Sequence, residues 1–282
     1  MADTVVEKMS QHFAPPDLRA RVQAVLDTAG KGAGDTEVEE LAGLDQWHVE
    51  GLVSTRRLSE LARISAGDAI LDAGCGMGGP ARFLAKTYGC TVRGIDLTMP
   101  YLETAELLTE LTGLTDKVLL ERGDVTDMRF DDAAFDVVWT QHAAQSIPDK
   151  ERFFSEMHRV LKPGGRLVVH DLYRGPGSPV HFPAFWGQDD SISFLVSDAE
   201  MRELLEAAGF RVTHWQDTTE SAHAANDAMD EDHAKSELEA ETIEGLDIFL
   251  LFGEQTLVMA ENSVKDMEVS SIGIFEAVLE RP

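Results

Sequence analysis

The feature that most constrains the fold is a glycine-rich turn between a short apolar run and a helix. The run is Ala69-Ile-Leu-Asp72, and four of the six residues at 74–79 are glycines. The segment from Pro80 to Tyr88 predicts a helix, because proline suits the first helical turn. Glycine permits positive φ and a close approach of the backbone to a ligand. This order of elements is typical of the first βαβ unit of a nucleotide-binding fold.

Two kinds of nucleotide suit such a turn, and a tight turn without a ligand is a third interpretation. Gly74, Gly76 and Gly79 match the dinucleotide pattern G-x-G-x-x-G, in which a pyrophosphate lies on the helix N-terminus. However, the carboxylate of Asp72 at the end of the strand would repel a pyrophosphate, whereas it suits an ammonium or sulfonium group. The pattern Asp72-x-Gly74-x-Gly76-x-Gly78 resembles the first motif of the class I S-adenosylmethionine-dependent methyltransferases.

Two further acids at predicted strand ends extend this resemblance. Residues 91–96 predict a second strand, and Asp96 lies 22 residues after Gly74, where such folds place a carboxylate that accepts hydrogen bonds from ribose hydroxyls. Residues 117–124 predict a third strand that ends in Asp124, and the resemblance implies that this residue reads the adenine amino group. A single strand-end Asp is more often a turn or cap residue. Three in succession favour a cofactor site.

The rest of the chain predicts the remaining elements of one sheet. The apolar run 135–140 indicates a buried parallel strand, and 54–64, 98–112 and 150–161 indicate helices. The run Leu161-Lys-Pro-Gly-Gly165, a hallmark of the same class, indicates a helix stop and a tight turn before a fifth strand. The resemblance implies an α/β fold: a doubly wound, seven-stranded, mostly parallel Rossmann-like methyltransferase sheet with a helical and loop cap. Its last strand, 272–281, would lie antiparallel between the fifth and the sixth.

The chain is long enough for one large α/β domain with a cap. We predict an N-terminal helical cap over the site at 1–64 and a methyltransferase core at 65–282. Within the core, 173–196 would form a lid, and 217–264 an acidic helical insertion. That insertion carries His223 and His233 among acids, but their spacing fits no compact metal site, so we expect no metal.

The resemblance also implies which residues bind S-adenosylmethionine. In many small-molecule members of the class, an acid, Gln, an aromatic residue and His precede the first strand and lie over the cofactor. The segment Leu44-Asp-Gln-Trp-His48 has this pattern, although an amphipathic helix with a core tryptophan would explain it as well. The residues predicted to bind the cofactor are Asp72, Gly74, Gly76, Gly78, Asp96, Leu97, Asp124, Val125, Gln141 and Gln46.

Three histidines are candidates for a general base, which is needed only if the nucleophile arrives protonated. We rank His142 first, because it follows the fourth strand beside the transferable methyl group in this class. His170, at the end of the fifth strand, is second, and His48 in the cap is third; a structural role is the alternative for His142. The residues predicted to line the substrate pocket are Trp47, His48, Tyr173, His181, Phe182, Phe185 and Trp186.

Charge and composition indicate which classes of binding partner to expect. The net charge of −27 disfavours nucleic acid and anionic membranes, and no apolar run approaches the ~20 residues of a membrane span. The N-terminus does not read as a signal peptide, and the two cysteines match no disulfide or metal pattern. We therefore expect a cytoplasmic monomer or homodimer that acts on a small molecule. Lysine is scarce, with 8 residues against 16 arginines, which suggests either a salt-adapted source or an ordinary acidic protein.

Taken together, these residues predict S-adenosylmethionine-dependent methyl transfer to a small-molecule nucleophile by in-line displacement. The resemblance is to the broad bacterial type that includes sarcosine and dimethylglycine, sterol, tocopherol and natural-product methyltransferases. N-methylation of an amine or amino acid is slightly favoured. The alternatives are O- or C-methylation in natural-product biosynthesis and a catalytically silent cofactor-binding module. A nicotinamide-dependent oxidoreductase is disfavoured by Asp72.

Overall fold

The structure, a computed structural model, describes residue 8 and residues 12–13, 15–223 and 242–282. The strands are β1 Ala69–Ala73, β2 Thr91–Asp96, β3 Val118–Arg122, β4 Phe135–Gln141, β5 Leu161–Arg174, β6 Arg211–Asp217 and β7 Ile272–Glu280. The helices are α1 Leu18–Ala29, α2 Ala42–Asp45, α3 Gly51–Leu61, α4 Gly79–Tyr88, α5 Met99–Leu111, α6 Lys150–Val160, α7 Asp198–Ala207, α8 Phe249–Phe252 and α9 Gln255–Glu268. Short 3₁₀ turns lie at Val38–Leu41, Ala144–Ser146 and Asp190–Ile192.

The strands form one seven-stranded sheet in the order β3-β2-β1-β4-β5-β7-β6. The first five strands pair in parallel, whereas β7 runs antiparallel to both of its neighbours, β5 and β6. The predicted fold class is therefore confirmed, including the position of the last strand. The strand order reverses between β1 and β4, and ligands of such sheets bind at the carboxyl ends of the strands at this point.

Both faces of the sheet are covered, because alternate residues of a strand point to opposite sides. In β4, Val138 packs with Phe153 and Phe154 of α6 on one face. Its neighbour Trp139 packs with Phe83 of α4 on the other. Apolar residues on both sides explain why this strand reads as a continuous apolar run.

The N-terminal region packs beside this core rather than apart from it. Leu18, Val22 and Leu26 of α1 are fully buried, and they share an apolar cluster with Leu108 of α5. The same cluster includes residues of the 243–251 segment. The chain before β1 and the chain before α9 therefore meet over the same edge of the sheet.

The structure differs from expectation in three segments. Residues 161–165, which were expected to form a turn before the fifth strand, belong to β5, and this strand begins directly after α6 ends at Val160. The pairing of β5 with β4 is irregular in this part. The strand β5 runs on to Arg174, so the first residues of the expected lid are sheet. The expected helical insertion contains α8, α9 and a helical start at 219–223, while its acidic stretch at 227–241, with His233, lies outside the described residues. Within the described chain, no helix is both long and apolar enough to cross a membrane.

Candidate functional site

A cavity of about 2090 Å³ opens at the carboxyl edge of the sheet, beside the ends of β1 and β4. Its walls come from the 42–53 segment, the glycine turn after β1, the loops after β2 and β4, and one side of α9. Such a position follows from the strand order, because the loops after β1 and β4 diverge there.

The glycine turn forms the floor of this cavity. The backbone N–H groups of Gly74 and Cys75 both donate to the carbonyl oxygen of Ile95, at 2.9 and 3.0 Å. Gly76 has a φ of 52°, and a Cβ on this residue would meet no atom within 4 Å. The turn therefore leaves an open cradle beside its backbone. On its far side, a Cβ on Gly74 would lie 2.9 Å from the Cβ of Ala143, so the turn abuts the loop after β4.

Two buried carboxyl groups face the cradle. Asp72 is 2% exposed, and its Oδ2 atom has no hydrogen-bond partner among the described residues. Burial and the neighbouring Asp96 raise the pKa of Asp72 to about 7. Asp96 accepts hydrogen bonds from the N–H groups of Gly76, at 3.0 Å, and Thr98, at 2.8 Å, and burial raises its pKa as well. An unpaired buried carboxylate is costly, so this floor fits a cofactor that carries a cationic group.

The remaining predicted cofactor residues divide between the cavity wall and its surroundings. Leu97, Val125, Gln141 and Gln46 line the cavity, whereas Gly78 and Asp124 do not. The carboxylate of Asp124 accepts hydrogen bonds from the N–H and hydroxyl groups of Thr126, at 2.8 and 2.7 Å. Because Gly123 and Val125 on either side of it reach the cavity, Asp124 orients the turn that borders the site.

A buried ion pair joins the N-terminal segment to the glycine turn. Arg82 Nη2 donates to Asp45 Oδ2 at 2.6 Å, and neither side chain is exposed. The same guanidinium donates to the carbonyl oxygens of Met77 and Ala105 and to the hydroxyl of Thr109. No sequence pattern pointed to Arg82, and Asp45 entered a pattern only as the acid immediately before Gln46.

Two glutamines and a threonine connect this segment to β4. The hydroxyl of Thr55 lies 2.9 Å from Gln46 Oε1 and 3.2 Å from Gln141 Oε1. Gln141 Oε1 also accepts a hydrogen bond from Trp139 Nε1 at 2.8 Å. Gln46 and Gln141 are thus fixed at the cavity wall from opposite elements, the cap and the sheet.

The three candidate histidines lie together. The ring centroids of His142 and His170 are 5.0 Å apart, and His48 lies 6.0 and 5.8 Å from them. Burial lowers the pKa of His48 to about 4 and that of His142 to about 3, and it holds the pKa of His170 well below its ordinary value. All three rings are therefore neutral at pH 7. His48 and His142 line the cavity, whereas His170 lies behind them with no exposed surface.

The loop that carries His142 is pinned from below by Asp171. This carboxylate is fully buried and accepts hydrogen bonds from the N–H groups of Ala143 and Ala144, at 3.0 and 2.7 Å. The N–H of His142 donates to the carbonyl oxygen of His170 at 2.8 Å. His142 has a φ of 50°, a conformation that non-glycine residues adopt only when their surroundings impose it.

Aromatic side chains form the outer wall. Trp47 lies within 6.5 Å, between ring centroids, of Phe13, Tyr101 and Phe252. Phe185 and Trp186 also line the cavity.

The structure does not bring Tyr173, His181 or Phe182 to the cavity. Tyr173 alternates with Leu172 along β5, so Leu172 faces the cavity and the Tyr173 hydroxyl donates to Asp217 instead. His181 Nδ1 pairs with Asp266 Oδ1 at 2.5 Å. Phe182 packs against the apolar cluster that contains Leu172 and Ile274 and does not itself line the cavity.

Several lining residues had no sequence signal. Gln145 and Ser146 follow His142 in the loop after β4, and Thr256 and Val264 lie on α9. No periodicity or motif distinguishes these residues, because only the packing of distant segments in the folded protein brings them to the cavity. Among the described residues, no three His, Cys, Asp or Glu side chains gather into a cluster suited to a metal ion.

Comparisons with known proteins agree with this geometry. Residues 71–169 match the family model described as a methyltransferase domain. The chain is 38% identical over 118 residues to methyltransferase GfsG of Streptomyces halstedii, a match that covers 42% of each chain. It is 30% identical over 192 residues to phosphoethanolamine N-methyltransferase 1 of Triticum aestivum, covering 67% of this chain and 38% of that protein. The chain thus spans less than half the length of these relatives.

Solved structures share the fold. A geranyl diphosphate C-methyltransferase from Streptomyces coelicolor A3(2), in complex with S-adenosyl-L-homocysteine, aligns with a TM-score of 0.69. The alignment covers 99% of this chain and 98% of that chain, at 18% sequence identity. The structural alignment shows a common fold, whereas a sequence identity this low does not identify the substrate.

Proposed function

Because the chain carries a class I S-adenosylmethionine-dependent methyltransferase domain, we propose that it transfers the cofactor's methyl group to an amine nitrogen of a small molecule. The observation that carries this proposal is the contact between the glycine turn and the loop after β4. The turn offers a cradle beside the Oδ2 atom of Asp72, which has no partner among the described residues, and the loop places His142 in the same cavity. A cationic cofactor and a nucleophile can therefore meet in the cavity that the turn and the loop both line.

The residues present fit the cofactor in the following way. Asp72 would neutralise its cationic end, Asp96 would accept from its ribose hydroxyls, and Gly76 would leave room for its backbone contacts. When bound, S-adenosylmethionine supplies a methyl carbon activated by its sulfonium. The protein then has to align the acceptor and exclude water, and such alignment contributes roughly 7–11 kcal/mol to catalysis.

The protonation state of the histidines favours nitrogen as the acceptor atom. An amine that has left its ionising proton in the solvent attacks through its lone pair. The new N–C bond forms as the C–S bond breaks, and the surplus proton on the nitrogen then passes to solvent water. This needs only a hydrogen-bond acceptor, which a neutral imidazole provides. A phenol or alcohol must instead lose its proton as it attacks, which requires a base with a pKa near the operating pH, whereas burial lowers the pKa of His142 to about 3.

The test is transfer of labelled methyl from S-adenosylmethionine to matched amines, phenols and enolisable acids. Transfer to amines supports the proposal, and transfer confined to oxygen or carbon acceptors overturns the choice of nitrogen. Binding of S-adenosylhomocysteine without turnover on any acceptor indicates a silent module. A thermal shift with NAD alone would overturn the role given to Asp72.

A further inference from the structure

The loop after β4 presents three hydrogen-bonding atoms that have no partner among the described residues. These are His142 Nε2, Gln145 Oε1 and Ser146 Oγ, all buried and all on residues that line the cavity. Gln145 and Ser146 are each 5% exposed. Buried polar atoms in folded proteins are normally paired, so three on five consecutive residues indicate a binding surface for a polar group.

The chemistry of these atoms defines what they bind. The amide nitrogen of Gln145 already donates to the carbonyl oxygen of His142 at 2.7 Å, which leaves Oε1 as a pure acceptor. A neutral imidazole nitrogen in the same loop is also an acceptor when its other nitrogen carries the proton. Two acceptors on residues of one loop that line one cavity match a group with two N–H donors, and a primary amine is such a group.

The rest of the cavity wall is apolar and large. Leu172, Ile272 and Ile274 from the sheet and Val264 from α9 line it, together with the aromatic wall around Trp47. The volume of about 2090 Å³ is about twice the ~1,000 Å³ upper range of ordinary small-molecule pockets. A cofactor and a small amino acid together would leave most of this wall without contact.

Charge excludes anionic acceptors. Acidic residues line the cavity from several elements, among them Asp247, Glu261 and Glu268. The basic lining residues in the described chain are Arg122 and Lys265, and both are exposed to solvent. Apart from the carboxylate that the cofactor itself carries, a further phosphate or carboxylate would therefore enter a negative field without a buried cation among the described lining residues.

We infer that the acceptor is a bulky apolar amine without an anionic group, held through its N–H groups by Gln145 Oε1 and His142 Nε2. The inference rests on the proposed function for the identity of the reacting atom. It adds the acceptor class and assigns Gln145 as a positioning residue. Amines that carry phosphate or carboxylate groups, and amino acids as small as sarcosine, are excluded.

Binding is measured by calorimetry on the full chain saturated with S-adenosylhomocysteine, so that affinity is separated from turnover. The probes are naphthylmethylamine, naphthylmethanol and naphthylmethyl phosphate, which share one apolar group, and sarcosine, which lacks it. The amine is expected to bind more tightly than the alcohol, and the phosphate and sarcosine at least about tenfold more weakly than the amine. Absent binding of the amine, or tighter binding of the phosphate or sarcosine, overturns the inference.

Two pairs of variants test the polar loop after β4 and the apolar part of the cavity wall. Gln145→Leu is expected to weaken amine binding roughly five- to tenfold, while Gln188→Leu, an exposed amide outside the cavity, leaves it unchanged. Val264→Trp is expected to abolish binding of the amine, while Val258→Trp on the exposed face of the same helix does not. Unchanged amine affinity in Gln145→Leu, or equal effects of the two tryptophan variants, contradicts the inference.

Methyl-transfer assays on the same probes separate the inference from the proposed function. If the amine binds but receives no methyl group, the acceptor class stands and the proposed reaction falls. If methyl transfer occurs to sarcosine and not to the apolar amine, the reaction stands and the acceptor class falls.

Discussion

The ion pair between Asp45 and Arg82 is expected to control cofactor binding as well as stability. Its atoms are 2.6 Å apart, and both side chains are fully buried. Arg82 also holds the carbonyl oxygen of Met77 in the glycine turn, and Asp45 directly precedes Gln46, Trp47 and His48 at the cavity. Removing the charge of Asp45 therefore leaves Arg82 unpaired and releases the segment that covers the cofactor cradle.

The magnitude follows from this geometry. Removal of one partner of a buried ion pair costs about 3–5 kcal/mol, which in a domain of this size lowers the Tm by on the order of 10 °C. Part of this free energy holds the 45–48 segment in its position at the cavity. If only about 1.4 kcal/mol of it is lost from the bound state, the Kd for S-adenosylhomocysteine rises about tenfold.

The variant is Asp45→Asn, assayed at pH 8, where the carboxyl is ionised although burial raises its pKa to about 6. Thermal unfolding gives the stability, and calorimetry with S-adenosylhomocysteine gives the Kd. The matched control is Asp68→Asn, which removes the 2.9 Å ion pair with Arg166 at the other end of β1. The control is expected to lower the Tm and to leave the Kd within about twofold of the wild type.

The comparison of the two variants decides the matter. If Asp45→Asn lowers the Tm but binds S-adenosylhomocysteine as tightly as the control does, the pair is only a scaffold and the reasoning is refuted. Arg82→Lys keeps a positive charge but loses the fork of donors, so it is expected to fall between the wild type and Asp45→Asn in both measurements.

Three further predictions concern the cavity and the surface. Since the folded-state pKa of Asp72 is raised from 3.8 to about 7, ionising it costs stability as the pH rises through that window. The Tm of Asp72→Asn should therefore rise relative to that of the wild type between about pH 5 and about pH 8, and a difference in Tm that stays constant over this range would contradict this. Replacing His142 by Gln should lower the methyl-transfer rate about 10- to 100-fold with unchanged affinity for S-adenosylhomocysteine; a rate within about threefold would remove it from the mechanism. With a net charge of −27, a salt-adapted protein should gain Tm in molar KCl because its repulsion is screened, and no gain would leave an ordinary acidic protein.

Local patterns were sufficient for most of the fold. The turn at 74–79 and the strand-end acids Asp72 and Asp96 have a signature that depends only on nearby residues, and the structure places them on the floor of one cavity. The helix α7 begins with a capping box of the same local kind, in which the carboxylate of Glu200 accepts a hydrogen bond from the Ser197 N–H. Such features are readable because their hydrogen bonds close within a few residues.

The face of a strand on which a side chain lies was harder to predict from the sequence. Tyr173 and Leu172 are adjacent in sequence, yet only Leu172 faces the cavity, because neighbouring residues of β5 point to opposite sides. The aromatic residues of the segment led to the prediction that Tyr173 lines the substrate pocket. The register of β5 with β7 instead places Leu172 on the side of the cavity. For the same reason, composition alone did not reveal that His181 pairs with Asp266 on α9.

The sequence by itself determined the class of fold, the glycine turn and the acids around it, because backbone conformation and strand ends are specified by short-range patterns. Only the tertiary structure decided that Arg82 joins Asp45 across 37 positions and that α9 closes the cavity opposite β5. It also decided that the atoms of His142, Gln145 and Ser146 stay without partners among the described residues. These are properties of packing between distant segments, and they arise when burial removes water from groups that the chain alone leaves solvated.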